Sequence, residues 1–246
     1  MRIICTDYYS PNKNKKKRSI NSIKAIVIHY TGMQSERESI KKLCDINEKV
    51  SSHFLINQNG KIYRLVEDRK IAWHAGKSAW ARYRGLNKNS IGIELVNKGH
   101  QFGYTNFTKK QLFSLIKVCR NLIKKYKITK KNIVGHSDIS PLRKIDPGEK
   151  FPWDLLAKKN IGIWHNLKPD FIKKFRRIRT SNLQEKIKFI KILKKIGYYF
   201  PNNKKAFFAK VVKAFQRHFR KELINGIIDK ECLLIAENLS KIYKNS

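Results

Sequence analysis

Two histidines and one aspartate are the side chains of this sequence best suited to hold a metal ion. His29 and His136 lie at the ends of predicted strands, where side chains can meet at one edge of a sheet, and Asp146 follows in the loop 141–148. Two imidazoles and one carboxylate make a three-ligand zinc site that leaves a fourth position for water. Spacing alone is weak evidence, because no HExxH-type helix holds these residues together. The alternative is that each histidine is an ordinary polar side chain.

A glutamate and a lysine could supply the proton transfer and the positive charge that such a centre needs. Glu94 lies in the apolar segment 91–96, where burying an unpartnered carboxylate would be costly. It therefore has either a catalytic task or an ion-pair partner, which the 55 Lys and Arg residues could supply. Lys144 lies two residues before Asp146, on the same side of an extended loop, and could stabilise an oxyanion. The alternative is one more surface lysine.

Short β-branched segments and amphipathic segments alternate through the first 160 residues and must position these groups. Strands are predicted at 24–31, 52–56, 61–66, 90–97 and 132–136, and helices at 36–50 and 108–126. The turn pair Asn59-Gly60 predicts a hairpin between the second and third strands. This alternation predicts the α/β class, with a mixed β-sheet flanked by helices.

Three apolar stripes at helical spacing predict a small three-helix domain at the carboxyl end. The stripes are Leu183, Ile187, Ile190 and Leu193, then Phe208, Val211, Val212, Phe215 and Phe219, and finally Cys232, Ile235, Leu239 and Ile242. The predicted organisation is a flexible basic arm over 1–22, a catalytic domain over 23–165, a linker over 166–182 and the helical domain over 183–246.

The formal net charge of +37 favours a solvated basic surface, with attraction to an anionic polymer, such as peptidoglycan or nucleic acid, or to a membrane surface as the alternative. No zinc finger, RNP pattern or Gly-rich phosphate loop is present, so no specific nucleic-acid partner is predicted. The four cysteines are scattered and predict free thiols. No apolar run reaches the ~18–20 residues of a membrane-spanning helix. No signal-like segment opens the chain, which predicts a cytoplasmic location.

Six short motifs, in this order, resemble those of one enzyme family. They are His29-Tyr-Thr, Ser51-Ser-His-Phe-Leu-Ile56, Ala72-Trp-His-Ala-Gly76, Ser90-Ile-Gly-Ile-Glu-Leu95, Gly135-His-Ser-Asp-Ile139 and Lys144-Ile-Asp-Pro-Gly148. Residues 24–160 thereby resemble the zinc-dependent N-acetylmuramoyl-L-alanine amidases of the peptidoglycan-recognition-protein superfamily, AmiD type. The tail is similar to a helical peptidoglycan-binding module, at Leu183-Gln184, Gly197-Tyr198, Ala214-Phe-Gln216 and Asn225-Gly-Ile-Ile-Asp229.

The resemblance implies roles for named residues. It implies one zinc ion held by His29, His136 and Asp146, with Glu94 as the catalytic carboxylate and Lys144 as the cation beside the transition state. The residues expected to contact substrate are His74, Trp73, Arg82, Arg84 and Asn97, with a structural role as the alternative for His74. The implied reaction is hydrolysis of the amide between N-acetylmuramic acid, or its 1,6-anhydro form, and L-alanine.

The resemblance also bears on partners and location. The implied partners are peptidoglycan and muropeptide fragments. A non-catalytic peptidoglycan-recognition protein is the alternative, and such members lose a zinc ligand, whereas all three positions are filled here. Relatives of this type are typically exported, so the resemblance implies an envelope location. The amino-terminal segment, in contrast, predicts a cytoplasmic location.

Overall fold

A computed structural model describes residues 4–180, 182–201 and 205–244. The strands are β1 (Ile4–Cys5), β2 (Ala25–Tyr30), β3 (Phe54–Ile56), β4 (Ile62–Arg64), β5 (Ala79–Trp80), β6 (Tyr83–Arg84), β7 (Ser90–Leu95) and β8 (Ile133–Gly135). The helices are α1 (Glu36–Cys44), α2 (Lys109–Tyr126), α3 (His136–Ile139), α4 (Trp153–Lys158), α5 (Pro169–Lys173), α6 (Leu183–Ile196), α7 (Lys205–Phe219) and α8 (Lys230–Lys244). Among these, no helix is both long and apolar enough to cross a bilayer.

Six strands form one mixed sheet in the order β1-β4-β3-β7-β2-β8. The central pairs β2–β7, β2–β8 and β3–β7 are parallel, whereas β3 and β4 form the predicted antiparallel hairpin. Because both faces of a parallel sheet are covered, β2 and β7 are apolar nearly throughout, as buried parallel strands require. This confirms the predicted mixed sheet flanked by helices. Within it, His29 lies directly opposite Glu94 in the β2–β7 register.

The expected flexible arm over residues 1–22 is wrong for residues 4–22, and residues 1–3 lie outside the described part of the chain. β1 pairs in parallel with β4, and Ser10 and Arg18 are buried. The guanidinium of Arg18 donates to the backbone oxygens of Asp68, Asn87 and Ser90. From the sequence, a basic residue is expected to be exposed to solvent. Backbone carbonyl oxygens, however, can accept the hydrogen bonds of a buried guanidinium as well as water does.

Helix boundaries differ from the predicted ones where local capping intervenes. The helix predicted over 36–50 ends at Cys44, because the Asp45 side chain accepts the Asn47 amide and starts a separate 3-10 turn. The helix predicted from Thr108 begins as expected, with the Thr108 hydroxyl accepting the Gln111 amide. The segment predicted as a linker, 166–182, contains α5.

The first apolar stripe of the tail is partly wrong. Leu183 and Ile187 are 71% and 41% exposed, whereas Phe189, Leu193 and Ile196 form the buried face of α6. Both faces of this helix carry apolar residues at helical spacing, so the packing partner decides which one is buried. In the second and third stripes the buried members are Val211, Val212, Phe215, Phe219, Cys232, Ile235 and Leu239.

The three carboxyl-terminal helices pack directly against the sheet domain. One hydrophobic cluster joins Val27 and Trp80 of the sheet domain to Phe189 and Phe215 of the helices. A polar contact accompanies it, in which Asp138 receives the hydroxyl of Tyr198 at 2.7 Å and lies 2.7 Å from the imidazole of His218. Asp138 also accepts the amide of Gly135, so the helical residues contact the turn that carries His136.

The sequence motifs of the tail have structural roles. Gln216 is fully buried and binds the loop at Asn225, Gly226 and Ile227 through its amide group. Asp229 accepts the guanidinium of Arg220 at 2.9 Å. These buried polar groups are paired with one another, so they stabilise the bundle.

Candidate active site

Three side chains that can ligate a metal converge at the carboxyl ends of the central strands. The Nδ1 atoms of His29 and His136 lie 2.9 Å apart, and each lies 3.1 Å from Oδ2 of Asp146. All three residues are buried. Two imidazole nitrogens and a carboxylate oxygen turned toward one point form the donor set of a three-ligand metal site.

The sheet topology brings these three ligands together. His29 is the fifth residue of β2, and His136 directly follows the neighbouring parallel strand β8. The loop that carries Asp146 returns to this edge, because the Ser137 amide donates to the Asp146 carbonyl at 2.8 Å. Gly148 adopts a φ of +83°, and a Cβ there would meet the hydroxyl of Tyr104 at 2.5 Å. Glycine is therefore required two residues after this ligand.

A chain of hydrogen bonds fixes the tautomer of His29. The hydroxyl of Ser90 donates to the Leu86 carbonyl at 2.6 Å, so toward His74 it can only accept, and Nε2 of His74 must carry the proton. Burial and the neighbouring His29 hold the pKa of His74 well below its usual value, so His74 is neutral. Its Nδ1 therefore accepts from Nε2 of His29 at 3.1 Å, and the free lone pair of His29 is on Nδ1.

His136 is oriented in the same way by a backbone oxygen. Its Nε2 lies 3.2 Å from the Ala75 carbonyl oxygen, which can only accept. The lone pair of His136 is therefore also on Nδ1, facing His29 and Asp146. Without a metal, burial raises the pKa of Asp146, but a proton shared with the two imidazoles holds it well below its usual value, so the carboxylate is ionised. A metal ion at this point would replace that proton and face the two Nδ1 lone pairs. All three donor atoms are thus in the form that binds a metal.

Glu94 has no partner that would explain its burial. Its Oε2 atom is buried without a hydrogen-bond partner, and no cation within the described chain lies at ion-pair distance from it. Burial and, to a lesser extent, the charge of Asp146 together raise the pKa of Glu94 to about 8, against the opposing effect of Lys144. Within the described chain, Glu94 is therefore not part of a buried ion pair. A carboxyl group whose proton is exchangeable near neutral pH suits general acid–base chemistry.

A stability measurement on the metal-free protein tests this environment. The folded state holds the Glu94 proton up to a pH of about 8, whereas the unfolded state releases it near 4.5. The free energy of unfolding therefore falls as pH rises between these values. We expect metal-free Glu94→Gln to be more stable than wild type by roughly 1–4 kcal/mol at pH 8 and little different at pH 4. Urea unfolding at both pH values measures this, with exposed Glu67→Gln as the control; a Glu94→Gln difference independent of pH would contradict it.

The metal-ligand candidates and Glu94 line a cleft of about 330 Å³, together with Lys144. Lys144 is half-buried at the rim and adds positive charge next to Glu94 and His29. Sequence reasoning missed two contributors. Arg143 also lines the cleft and could have been suspected as the neighbour of Lys144. From the sequence, Ser90 could be recognised only as a hydroxyl-bearing residue at the start of an apolar strand.

Of the five residues predicted to contact substrate, only His74 lines this cleft. His74 reaches its floor, where it supports His29. Trp73 does not line it and donates from its indole to Asn14. Asn97 is buried and binds the loop at Gly99 and Thr105, while Arg82 lines a separate pocket with Lys131. Arg84 lies on the far side of Arg143, in a second pocket.

A mixed sheet that presents two imidazoles, a carboxylate and a buried glutamate at one edge has the arrangement of a metal-dependent hydrolase. Residues 19–149 match the Amidase_2 family, described as N-acetylmuramoyl-L-alanine amidase. The chain belongs to this family, and it is an enzyme of the N-acetylmuramoyl-L-alanine amidase class.

Relatives extend the similarity beyond the family segment. The N-acetylmuramoyl-L-alanine amidase AmiD of Escherichia coli K12 is 36% identical over 250 residues, which cover 96% of this chain and 89% of that protein. The 1,6-anhydro-N-acetylmuramyl-L-alanine amidase AmpD of Haemophilus influenzae is 36% identical over 61% of this chain and 89% of its own length.

Two solved structures resemble this one over almost the whole chain. The structure of E. coli AmiD with the substrate anhydro-N-acetylmuramic acid-L-Ala-D-γ-Glu-L-Lys has a TM-score of 0.80 and 33% identity, covering 95% of this chain and 94% of that one. AmpDh3 of Pseudomonas aeruginosa in complex with anhydromuramic pentapeptide has a TM-score of 0.80 and 31% identity, covering 99% of both chains. The carboxyl-terminal helices are therefore part of the shared fold.

Proposed function

We propose that this enzyme is a zinc hydrolase that cleaves the amide between N-acetylmuramic acid, in its 1,6-anhydro form, and the L-alanine of the stem peptide. The observation that carries the proposal is the convergence of His29, His136 and Asp146 beside the unpartnered oxygen of Glu94. The anhydro form is supported by the ligands named for the two similar structures.

The donor set suits zinc better than it suits a hard cation. Two nitrogen donors and one carboxylate match the preference of zinc, whereas magnesium and calcium prefer oxygen ligands throughout. His29, His136 and Asp146 would hold the ion, and His74 and the Ala75 carbonyl orient the two imidazoles. Zinc at this position would act as a Lewis acid toward the amide carbonyl and toward water.

The residues of the chain supply the proton transfer and part of the charge stabilisation. The positive charge of bound zinc would favour the ionised form of Glu94. In that form Glu94 takes a proton from the attacking water and delivers it to the alanine nitrogen as the carbon–nitrogen bond breaks, so the products are a lactyl carboxylate and a free amine. The ammonium group of Lys144, at the rim of the same cleft, stabilises the negative charge that develops on the carbonyl oxygen.

The competing function is peptidoglycan recognition without catalysis. Incubation of the zinc-loaded protein with an anhydro-muramyl tripeptide separates the two, because a recognition protein binds the ligand and leaves it intact. We expect a new peptide with a free L-alanine amine, detected by mass spectrometry. Recovery of intact ligand from a zinc-loaded, folded protein would support recognition instead.

The division of labour between domains is also a proposal. The groups assigned to chemistry all lie between His29 and Asp146, which supports a catalytic domain over 23–165. The helical domain over 183–246 is proposed to place the substrate. Its direct packing on the sheet domain supports a role close to the cleft.

Ser90 offers a test of the hydrogen-bond chain behind His29. Ser90→Ala removes the acceptor that fixes the proton of His74 on Nε2, so His29 is no longer held in its ligating tautomer. We expect zinc affinity to fall by about 10–100-fold, the usual effect of losing a residue that orients a ligand. Competition with a chromophoric chelator measures the affinity.

Ser114→Ala is the matched control. Ser114 is equally buried and its hydroxyl donates to the Gly60 carbonyl at 2.6 Å, but it contacts none of the proposed ligands. Equal zinc affinities of the two variants would show that Ser90 does not act through His74 and His29.

A further inference from the structure

A second pocket of about 290 Å³ adjoins the proposed active-site cleft. The two share Arg143, which lines both. One wall of the second pocket comes from the sheet domain and the other from the carboxyl-terminal helices. Its main lining residues are Ala79, Arg84, Leu142, Arg143, Tyr199 and Phe207. The helical domain thus contributes side chains next to the reaction site.

Contacts of the two preceding residues position Tyr199 at this pocket. The preceding Gly197 has a φ of +134° and its carbonyl accepts the Ala81 amide at 2.7 Å. Tyr198, between them, is buried, and its hydroxyl bonds Asp138. Tyr199 itself is 39% exposed, and the guanidinium of Arg84 lies 4.2 Å from the centre of its ring. A fixed, exposed aromatic ring is a preformed contact surface for a ligand.

The pocket is both apolar and cationic. Lys77, Arg84 and Arg143 line it, and of the described residues around it none is acidic. Within the described chain, Arg84 donates only through one terminal nitrogen, Nη1, and Arg143 only through Nη2. The remaining N–H groups can bind an anion, and a guanidinium pairs best with a carboxylate or phosphate.

The chemistry of the proposed substrate identifies which part of it carries such an anion. The carboxyl group of muramic acid is consumed in the amide that is cleaved, and the remaining sugar groups are uncharged. The carboxylates lie in the stem peptide, on the γ-linked glutamate and at the peptide end. The side chain of the L-Lys beyond that glutamate has an aliphatic stem that suits an apolar wall, while its charged end can stay in solvent.

Resting on the proposed function, we propose that this pocket binds the stem peptide beyond its γ-linked glutamate. The aliphatic part packs on Tyr199, Leu142 and Phe207, and the terminal carboxylate pairs with Arg84. The helical domain therefore gives the enzyme its preference for longer stem peptides, through a subsite that it shares with the β5–β6 hairpin.

Substrates of different stem length test this subsite. We compare anhydro-muramyl-L-Ala-D-γ-Glu, the tripeptide form ending in L-Lys, and that tripeptide with a carboxamide end. We expect wild type to prefer the tripeptide, and Tyr199→Ala and Arg84→Ala each to reduce the tripeptide-to-dipeptide ratio of kcat/KM by about tenfold, mainly through KM. With the carboxamide the effect of Arg84→Ala should disappear, while that of Tyr199→Ala should remain.

Neighbouring substitutions serve as controls. Lys88→Ala removes an exposed cation four residues after Arg84 that lines neither the cleft nor this pocket, and should leave the ratio at the wild-type value. Tyr199→Phe keeps the ring and should behave as wild type. Thermal unfolding verifies that each variant is folded.

Several results would overturn the proposal. Unchanged ratios in Tyr199→Ala and Arg84→Ala would do so, as would a change that follows the number of sugars in the substrate and not the stem length. If wild type cleaves none of these compounds, the proposed function fails by itself. Titration of the free L-Ala-D-γ-Glu-L-Lys peptide into wild type and Tyr199→Ala then tests peptide binding at this pocket. We expect Tyr199→Ala to bind the peptide more weakly, and equal affinities would refute the proposed subsite.

Discussion

Glu94→Gln should reduce hydrolysis of an anhydro-muramyl tripeptide by 10²–10⁴-fold while zinc content stays at one ion per chain. The substitution keeps the shape of the side chain and removes the group that accepts and returns the proton, and general acid–base catalysis contributes an effect of about this size. At about 1.4 kcal/mol per tenfold change, the loss corresponds to roughly 3–6 kcal/mol of transition-state stabilisation. Activity and elemental analysis are measured on the same preparation.

Zinc content separates the two roles that Glu94 could have. The two imidazoles and Asp146 approach one another within 3.1 Å, and Glu94 is not part of that contact set. Loss of the metal in Glu94→Gln would show that this carboxylate is a ligand and not the base. Normal activity with normal zinc would show that another group moves the proton.

Removal of a proposed ligand should have the larger effect on the metal. His29→Ala, His136→Ala and Asp146→Ala each leave two of three protein donors, so we expect loss of tight zinc binding by more than the ~10–100-fold that orienting residues contribute. Activity should fall to the level of the chelated wild-type enzyme. Equilibrium dialysis against zinc, followed by elemental analysis, measures the binding.

A histidine outside the site provides the control. His165 is buried beside Trp164 and contacts none of the three ligands, so His165→Ala should retain one zinc per chain. Tight zinc binding by His29→Ala or His136→Ala would place the metal elsewhere. Full activity of wild type after verified removal of all metal would exclude a metal-dependent reaction at this cleft.

The metal-ligand candidates could be proposed from sequence because local pattern predicts where the strands end, while the family resemblance supplied their roles as a set. His29 closes an apolar β-branched strand and His136 follows another, and the carboxyl ends of adjacent parallel strands meet at one edge of a sheet. Glu94 was a candidate because burying a carboxylate in an apolar strand is costly unless the group has a partner or a catalytic role. The structure places these three side chains and Asp146 around one cleft.

Features that depend on long-range packing could not be predicted in the same way. Arg18 lies in a basic segment, and nothing local shows that four distant carbonyl oxygens surround it. Leu183 and Ile187 have helical spacing as regular as that of the buried face of α6, so only the docking of the helix distinguishes them. Trp73 and Asn97 lie in or beside family motifs, but a motif does not show where a side chain points. The proximity of Tyr199 to the cleft follows from domain packing alone.

The most direct test of the central claim is hydrolysis in water enriched in oxygen-18. The zinc-loaded enzyme is incubated with anhydro-N-acetylmuramic acid-L-Ala-D-γ-Glu-L-Lys, and both products are analysed by mass spectrometry. We predict one heavy oxygen in the lactyl carboxylate of the sugar product, and an unlabelled tripeptide with a free L-alanine amine. Label in the peptide, or cleavage at another bond, would contradict the assignment of this cleft to the lactyl amide.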